Sequence, residues 1–312
     1  MKYLFGPVPS RRLGISLGVD LVPHKVCTLN CVFCEVGITT TLTTQRKEYV
    51  PIDEVINELE AYLSQKPELD YITFSGQGEP TLNSGLGRVV SYLKDNHPGY
   101  KIALLTNGTL FWDAGLRAEV SRIELILPSL NAATDLIFRK IDRSCASLDN
   151  NQIIEGLIQL RKEFAGKIYL EVFLVPGLND TDTELSLLKE AILKINPDLV
   201  QLNSLDRPGP EPWVKHMTAE KLDYVASFLK PLPVEIVAKA TSRKSIQSFQ
   251  NDISQQILDT IKRRPCTDQD LCDILGLHKN ELNKYLSQLL DEDLVESQHM
   301  ERGLFFLPKK SE

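Results

Sequence analysis

Three of the six cysteines fall within eight residues, in the run Cys27-Thr28-Leu29-Asn30-Cys31-Val32-Phe33-Cys34. Thiols crowded this tightly, in a large chain whose start lacks an export signal, point to metal ligation rather than to disulfides. Three thiolates cannot complete the four irons of a cubane. A cluster held by them keeps one iron open to another donor, whereas an electron-transfer cluster takes four cysteines. The same loop also offers a tetrahedral zinc site if His24 supplies a fourth ligand, and both chemistries stand at this level. The remaining cysteines are scattered. Cys145 is expected either as a packed small side chain or as a hydrogen-donating thiol.

A second group of residues has the composition of a ligand-binding rim. Ser75-Gly76-Gln77-Gly78-Glu79-Pro80-Thr81 carries two glycines that let a backbone approach a ligand closely, and Pro80 stiffens the turn behind them. In Leu105-Thr106-Asn107-Gly108, the Asn107 amide either reaches a ligand or makes an Asn-Gly turn. Ser129 and Asn131 follow another apolar run, where Asn131 also suits a helix cap. Glu171 lies inside the β-type run 169–173 and needs a partner if it faces a barrel interior, so an ion pair is expected there. Arg11 and Arg12 suit either bidentate contact with a carboxylate or phosphate, or structural salt bridges.

These residues sit on loops that regular elements must position. Between about residues 17 and 237, short β-type runs alternate with stretches whose Leu, Ile and Val recur at spacings of three and four. The runs 16–22, 71–75, 102–106, 123–127, 168–175 and 199–203 predict six strands, with 234–237 as an extra edge strand. Helices are predicted over 53–64, 85–96, 134–140, 151–164, 183–195 and 219–229. The fold class is α/β, a partial (βα)6 TIM-like barrel, and the cysteine loop, the Gly76–Pro80 turn, Asn107 and Ser129 each follow a strand on what becomes one rim.

After Ser245 the pattern changes. Helices are predicted over 253–263, 268–275 and 279–291, with β-type runs at 294–298 and 304–307; Thr267 is the expected N-cap and Gly276 the expected C-cap of the second helix. This order suggests a small winged-helix-like α+β domain over 246–312, behind a barrel domain over 1–245. Residues 252–312 hold 8 Lys plus Arg against 12 Asp plus Glu, and the whole chain carries a formal charge of -7. That sign disfavours a polyanion-reading groove, so a protein or peptide is the expected partner of this domain, with RNA left open. No stretch suits a membrane span, and the expected compartment is the cytosol.

The spacing Cys27-x3-Cys31-x2-Cys34 followed by Gly76–Pro80 resembles the radical S-adenosylmethionine (SAM) superfamily. From Tyr3 to about Pro212 the chain is similar to the iron–sulfur oxidoreductases related to the wyosine tRNA-modification enzymes, through Phe5–Gly14, Leu17-Gly18-Val19-Asp20, Gly76–Leu82 and Leu170–Asp180. The resemblance implies a [4Fe–4S] cluster on Cys27, Cys31 and Cys34 and SAM as cosubstrate. It implies SAM contacts at Phe33, Gly76, Gly78, Glu79, Asn107 and Ser129, with the Gly76–Pro80 turn meeting the amino group and Phe33 near the adenine. It further implies reductive SAM cleavage driven by a flavodoxin or ferredoxin, and hydrogen abstraction from a peptide, RNA base or metabolite. No cysteine precedes Cys27, so the second cluster of the wyosine synthases is not expected. The competing expectation is a zinc-dependent regulator whose C-terminal domain binds DNA.

Overall fold

The computed structural model describes residues 1–10, 12–237, 253–277 and 279–309. Arg11 and the expected domain boundary at 245/246 lie outside the described residues. The main sheet has eight strands in sequential order: β1 (Leu4–Ser10), β2 (Gly14–Val19), β3 (Tyr71–Phe74), β4 (Ile102–Thr106), β5 (Leu125–Pro128), β6 (Lys167–Leu174), β7 (Leu199–Ser204) and β8 (Val234–Ile236). From β2 to β8 every neighbouring pair is parallel, and β1 runs antiparallel to β2. The two end strands are not paired with each other, so the wall is a partial barrel.

The helices α1 (Ile52–Leu63), α2 (Leu86–Asn96), α3 (Ala114–Glu119), α4 (Asp135–Ile141), α5 (Asn150–Glu163), α6 (Asp182–Ile195) and α7 (Ala219–Phe228) connect the strands. Asp113, Thr134, Asp149, Thr181 and Thr218 each accept a backbone N–H from the helix that follows, satisfying a donor the helix start would otherwise strand. In α1 the residues Ile52, Val55, Leu59 and Leu63 are buried, the stripe that a 3.6-residue period turns toward a sheet. Period-two alternation sorts the strand residues. Ile102 and Leu104 join the large core beneath the helices, while Ala103 and Leu105 join Leu13, Leu125 and Leu127 in a separate cluster.

Among the elements of the barrel wall and its helices, two depart from expectation. β1 carries Gly6, Pro7 and Pro9, residues that disguise a strand, yet prolines are tolerated on an edge strand such as this one. The other is α3, whose six residues are too short to show a helical period.

The C-terminal unit consists of α8 (Ile253–Arg263), α9 (Asp268–Leu275) and α10 (Lys279–Asp291), with a three-stranded sheet of β9 (Cys266–Thr267), β10 (Val295–Met300) and β11 (Gly303–Pro308) in the order β9-β11-β10. Thr267 and Asp270 form a reciprocal capping box, and Gly276 ends α9 in the left-handed conformation. The unit has its own apolar cluster, including Ile257, Ile261, Leu271, Leu282, Leu286 and Phe306, against which Val8 of β1 packs. No helix among the described residues is long and apolar enough to cross a membrane.

Candidate active site

The cysteine loop begins seven residues beyond β2 and is tied at its start and its middle. Val26–Cys27 pairs with Thr41–Leu42 in a small parallel ribbon. Asn30 N–H donates to the Asp142 carbonyl and Val32 N–H to that of Ile141, so the end of α4 fixes the loop's middle. All three thiols are free, and each has a polar neighbour. Lys25, 3% exposed, donates from Nζ to Cys34 Sγ at 3.0 Å. Asn107 Nδ2 lies 3.5 Å from Cys27 Sγ and donates to Thr28 Oγ1 at 2.7 Å. Cys31 Sγ lies 3.5 Å from Asp142 Oδ1, which also accepts from Asn131 Nδ2 at 2.8 Å.

Burial governs the protonation of these groups. It pushes the Cys27 thiol up to about 12, with the Glu79 charge adding to the shift. Burial likewise raises Cys31 well above the ordinary thiol range, reinforced by Asp142, and pushes Asp142 itself to about 6. Burial thus favours the protonated form of Cys27 and Cys31, a cost that bound metal has to offset.

The glycine turn is built around these thiols. Gly76 has φ +128°, and a Cβ there would lie 1.6 Å from Asp20 Oδ1; a Cβ on Gly78 would lie 2.2 Å from the Val26 carbonyl oxygen. Lys25 N–H donates to the Gln77 carbonyl at 2.7 Å and Glu79 N–H to the Val26 carbonyl at 3.0 Å, so loop and turn form one hydrogen-bonded seam. Glu79 is 2% exposed. Its Oε1 accepts Thr81 N–H at 3.0 Å and the Thr81 and Thr106 hydroxyls at 2.6 Å each, while Oε2 accepts Asn107 N–H at 2.8 Å. Burial raises its carboxyl, and these donors pull it back toward the charged form.

Phe33 stacks on Phe173, with centroids 3.9 Å apart and planes inclined by 9°. Ser129 follows β5 and bridges Glu171 of β6. Asn131 does not cap α4. Thr134 does, and Asn131 is buried, with its oxygen accepting Phe173 N–H. Glu171 has the expected partner: Arg12 Nη1 lies 2.5 Å from Glu171 Oε2. Cys145 packs in the core, 8% exposed. His24 meets the Gln77 side chain at 2.9 Å, and no three His, Cys, Asp or Glu side chains among the described residues converge as a single-ion site. His24 is thus not placed as a fourth zinc ligand.

Lys25, Asp142 and Arg207 were not singled out from sequence, and Asp20 entered only as the last residue of the Leu17–Asp20 stretch that carries the resemblance. Arg207, 3% exposed, lies with Nε 3.4 Å from Glu35 Oε2 and donates from Nη1 to Asp270 Oδ2 at 2.7 Å. The weak signal for Lys25 was its place two residues before Cys27; nothing local marked Asp142 or Arg207. A cavity of about 700 Å³ adjoins the turn and enters the barrel, lined by Gly76, Ser16, Thr73, Arg12, Leu105 and, from the C-terminal unit, Arg263.

An α/β partial barrel with a three-cysteine loop seamed to a glycine turn defines a class, and residues 21–188 match the family model of the radical SAM superfamily. The chain belongs to that superfamily. Across nearly its whole length it is similar to a UPF0026 protein of Helicobacter pylori strain 26695, with 31% identity over 94% of this chain and 93% of that one. It is also 33% identical over 95% of its length to a Brachyspira hyodysenteriae protein named GTPase Obg, of which it spans only 43%. Among solved structures, a radical SAM methyltransferase from Sphaerobacter thermophilus shares the fold at a TM-score of 0.56, with 20% identity, over 71% of this chain and 65% of that one.

Proposed function

We propose that this chain is a radical SAM enzyme in which Cys27, Cys31 and Cys34 hold a [4Fe–4S] cluster and the Gly76–Gly78 turn receives SAM. The donor set fits the cluster: three thiols on one tied loop, with an ammonium at one sulfur and an amide at another, groups that offset thiolate charge. When bound, the cluster would supply one-electron reduction of the SAM sulfonium, with the electron drawn from an external reductant, and so open the way to hydrogen abstraction from a substrate.

The chain's own residues hold and shape this site. Lys25 orients Cys34 and places a positive charge beside it. Asn107 links the end of β4 to Cys27 and Thr28. Glu79 acts through the turn: its two oxygens already accept four protein donors, leaving the backbone of Gly76–Gly78 to face the SAM methionyl group. The Phe33–Phe173 stack offers an apolar wall for the adenine, and Ser129 lies at the end of β5 for a further SAM contact. The cavity beside the turn gives substrate room. An external reductant of the flavodoxin or ferredoxin type completes the reading, with residues 246–312 as a winged-helix-like domain that helps to select a protein or peptide substrate.

The observation that carries the proposal is the seam that joins the cysteine loop directly to the glycine turn through Lys25, Gln77, Val26 and Glu79. Anaerobic reconstitution should load about four irons and four sulfides per chain, and Cys27→Ser, Cys31→Ser or Cys34→Ser should each abolish that loading. Stoichiometric zinc without sulfide, in protein offered both metals, would instead establish the regulator.

A further inference from the structure

The C-terminal unit reaches the glycine turn by a path that the cluster and SAM leave unexplained. Arg263, the last residue of α8, ion-pairs through Nη1 with Asp20 Oδ2, the two side chains being 21% and 13% exposed. The other oxygen of the same carboxylate accepts Gln77 N–H at 3.3 Å and fills the space beside Gly76 where a Cβ would lie. The Arg263 guanidinium also covers the Phe5 ring, 4.0 Å from its centroid. That ring in turn lies on Gly18, where an added Cβ would fall 2.0 Å from Phe5 Cζ. Phe5, Gly18, Asp20 and Gly76 therefore form one stack with Arg263 as its keystone.

We infer that Arg263 is a positioning residue for SAM: through Asp20 it holds the Gly76-Gln77 backbone in its receiving conformation, making the C-terminal unit part of the cofactor site. This rests on the assignment of the turn to SAM and adds the element that sets its shape. The largely buried carboxyl has two jobs; burial raises its pKa even with Arg263 beside it, so removing the cation leaves it desolvated, driven toward its neutral form and free to turn away from Gln77 N–H. A second brace supports the same role. Arg207 joins Glu35, the residue after Cys34, to Asp270 of α9, and Asp270 also accepts from Arg302 Nη2 at 2.6 Å. Both loops of the site are thus tied to the C-terminal unit by partly buried ion pairs.

The test uses the full chain with its cluster reconstituted anaerobically, comparing wild type with Arg263→Gln, Arg263→Lys, Asp20→Asn and the Arg263→Gln/Asp20→Asn double variant. Iron content is measured first, then the SAM Kd by calorimetry without reductant. Arg263→Gln should keep its iron and bind SAM about tenfold more weakly, Arg263→Lys should recover most of that loss, and the double variant should be no weaker than the worse single variant. A Kd for Arg263→Gln within about twofold of wild type overturns the inference, as does a double variant whose loss is the product of the two single losses. If Arg263→Gln loses iron, the Arg263→Lys comparison decides: a lysine variant with full iron and a Kd no better than that of Asp20→Asn also overturns it. Wild type that carries its cluster but gives no heat with SAM removes the assignment of the turn as well, an outcome distinct from unaffected variants.

Discussion

Glu79→Gln separates a residue that touches SAM from one that builds the place where SAM sits. In the folded chain the Glu79 carboxylate accepts Thr81 N–H, the Thr81 and Thr106 hydroxyls and Asn107 N–H, at 2.6–3.0 Å. A glutamine keeps one oxygen for three of these donors but must turn its NH2 toward the fourth, setting donor against donor at a site 2% exposed. Losing one bond to a charged acceptor costs about 1.5–3 kcal/mol, and stranding the part-buried Asn107 N–H up to about 1–3 kcal/mol more. Relief of the desolvated charge, which already raises this carboxyl, offsets part of that total. The net expectation is a loss of about 2–3 kcal/mol, read without SAM present as a lower urea midpoint at unchanged slope by far-UV circular dichroism. A glutamine variant as stable as wild type whose SAM binding alone is lost would refute this reasoning and make the side chain a direct ligand.

Two further predictions test the supporting structure. Burial pushes the Asp270 carboxyl up, but Arg207 foremost, then Thr267 N–H and Arg302, outweigh it and hold it at about 2. Because the folded value is depressed below 3.8, this group's stabilisation, about 2 kcal/mol, is present above pH 4 and lost as pH falls toward 2. Asp270→Asn should remove that part of the acid-side decline, checked by thermal midpoints between pH 2.5 and 6. Gly78→Ala places a methyl 2.2 Å from the Val26 carbonyl, a backbone atom that cannot yield without moving Cys27, so iron loading should fall by at least half when assayed as iron per chain.

What could be read from the residues alone was what lies close together along the chain. Cys27, Cys31 and Cys34 share one loop, and the Gly76–Pro80 turn is five consecutive residues, so their types and spacing carried the chemistry. The strands β3 to β7 were visible because their apolar runs end in polar or glycine-rich loops, and Thr267 and Gly276 were visible as caps. Partnerships across the fold were hidden. The four donors to Glu79 come from Thr81, Thr106 and Asn107, and only the first is a near neighbour in sequence. Glu171 was expected to need a partner, but only the folded wall brings Arg12 to it. Lys25 was not singled out, although it is 3% exposed and aimed at Cys34, because burial of a long charged side chain depends on the turn that covers it. β1 was missed because its prolines argue against a strand unless its edge position is known.

The central claim is that three cysteines and a glycine turn jointly activate SAM. Anaerobically reconstituted protein with its cluster intact should be incubated with SAM and excess dithionite, and 5′-deoxyadenosine quantified by chromatography. The account predicts deoxyadenosine and methionine in equal amounts, with none from the Cys31→Ser variant. Intact SAM after incubation with fully loaded, reduced protein, or equal product from the serine variant, would contradict it.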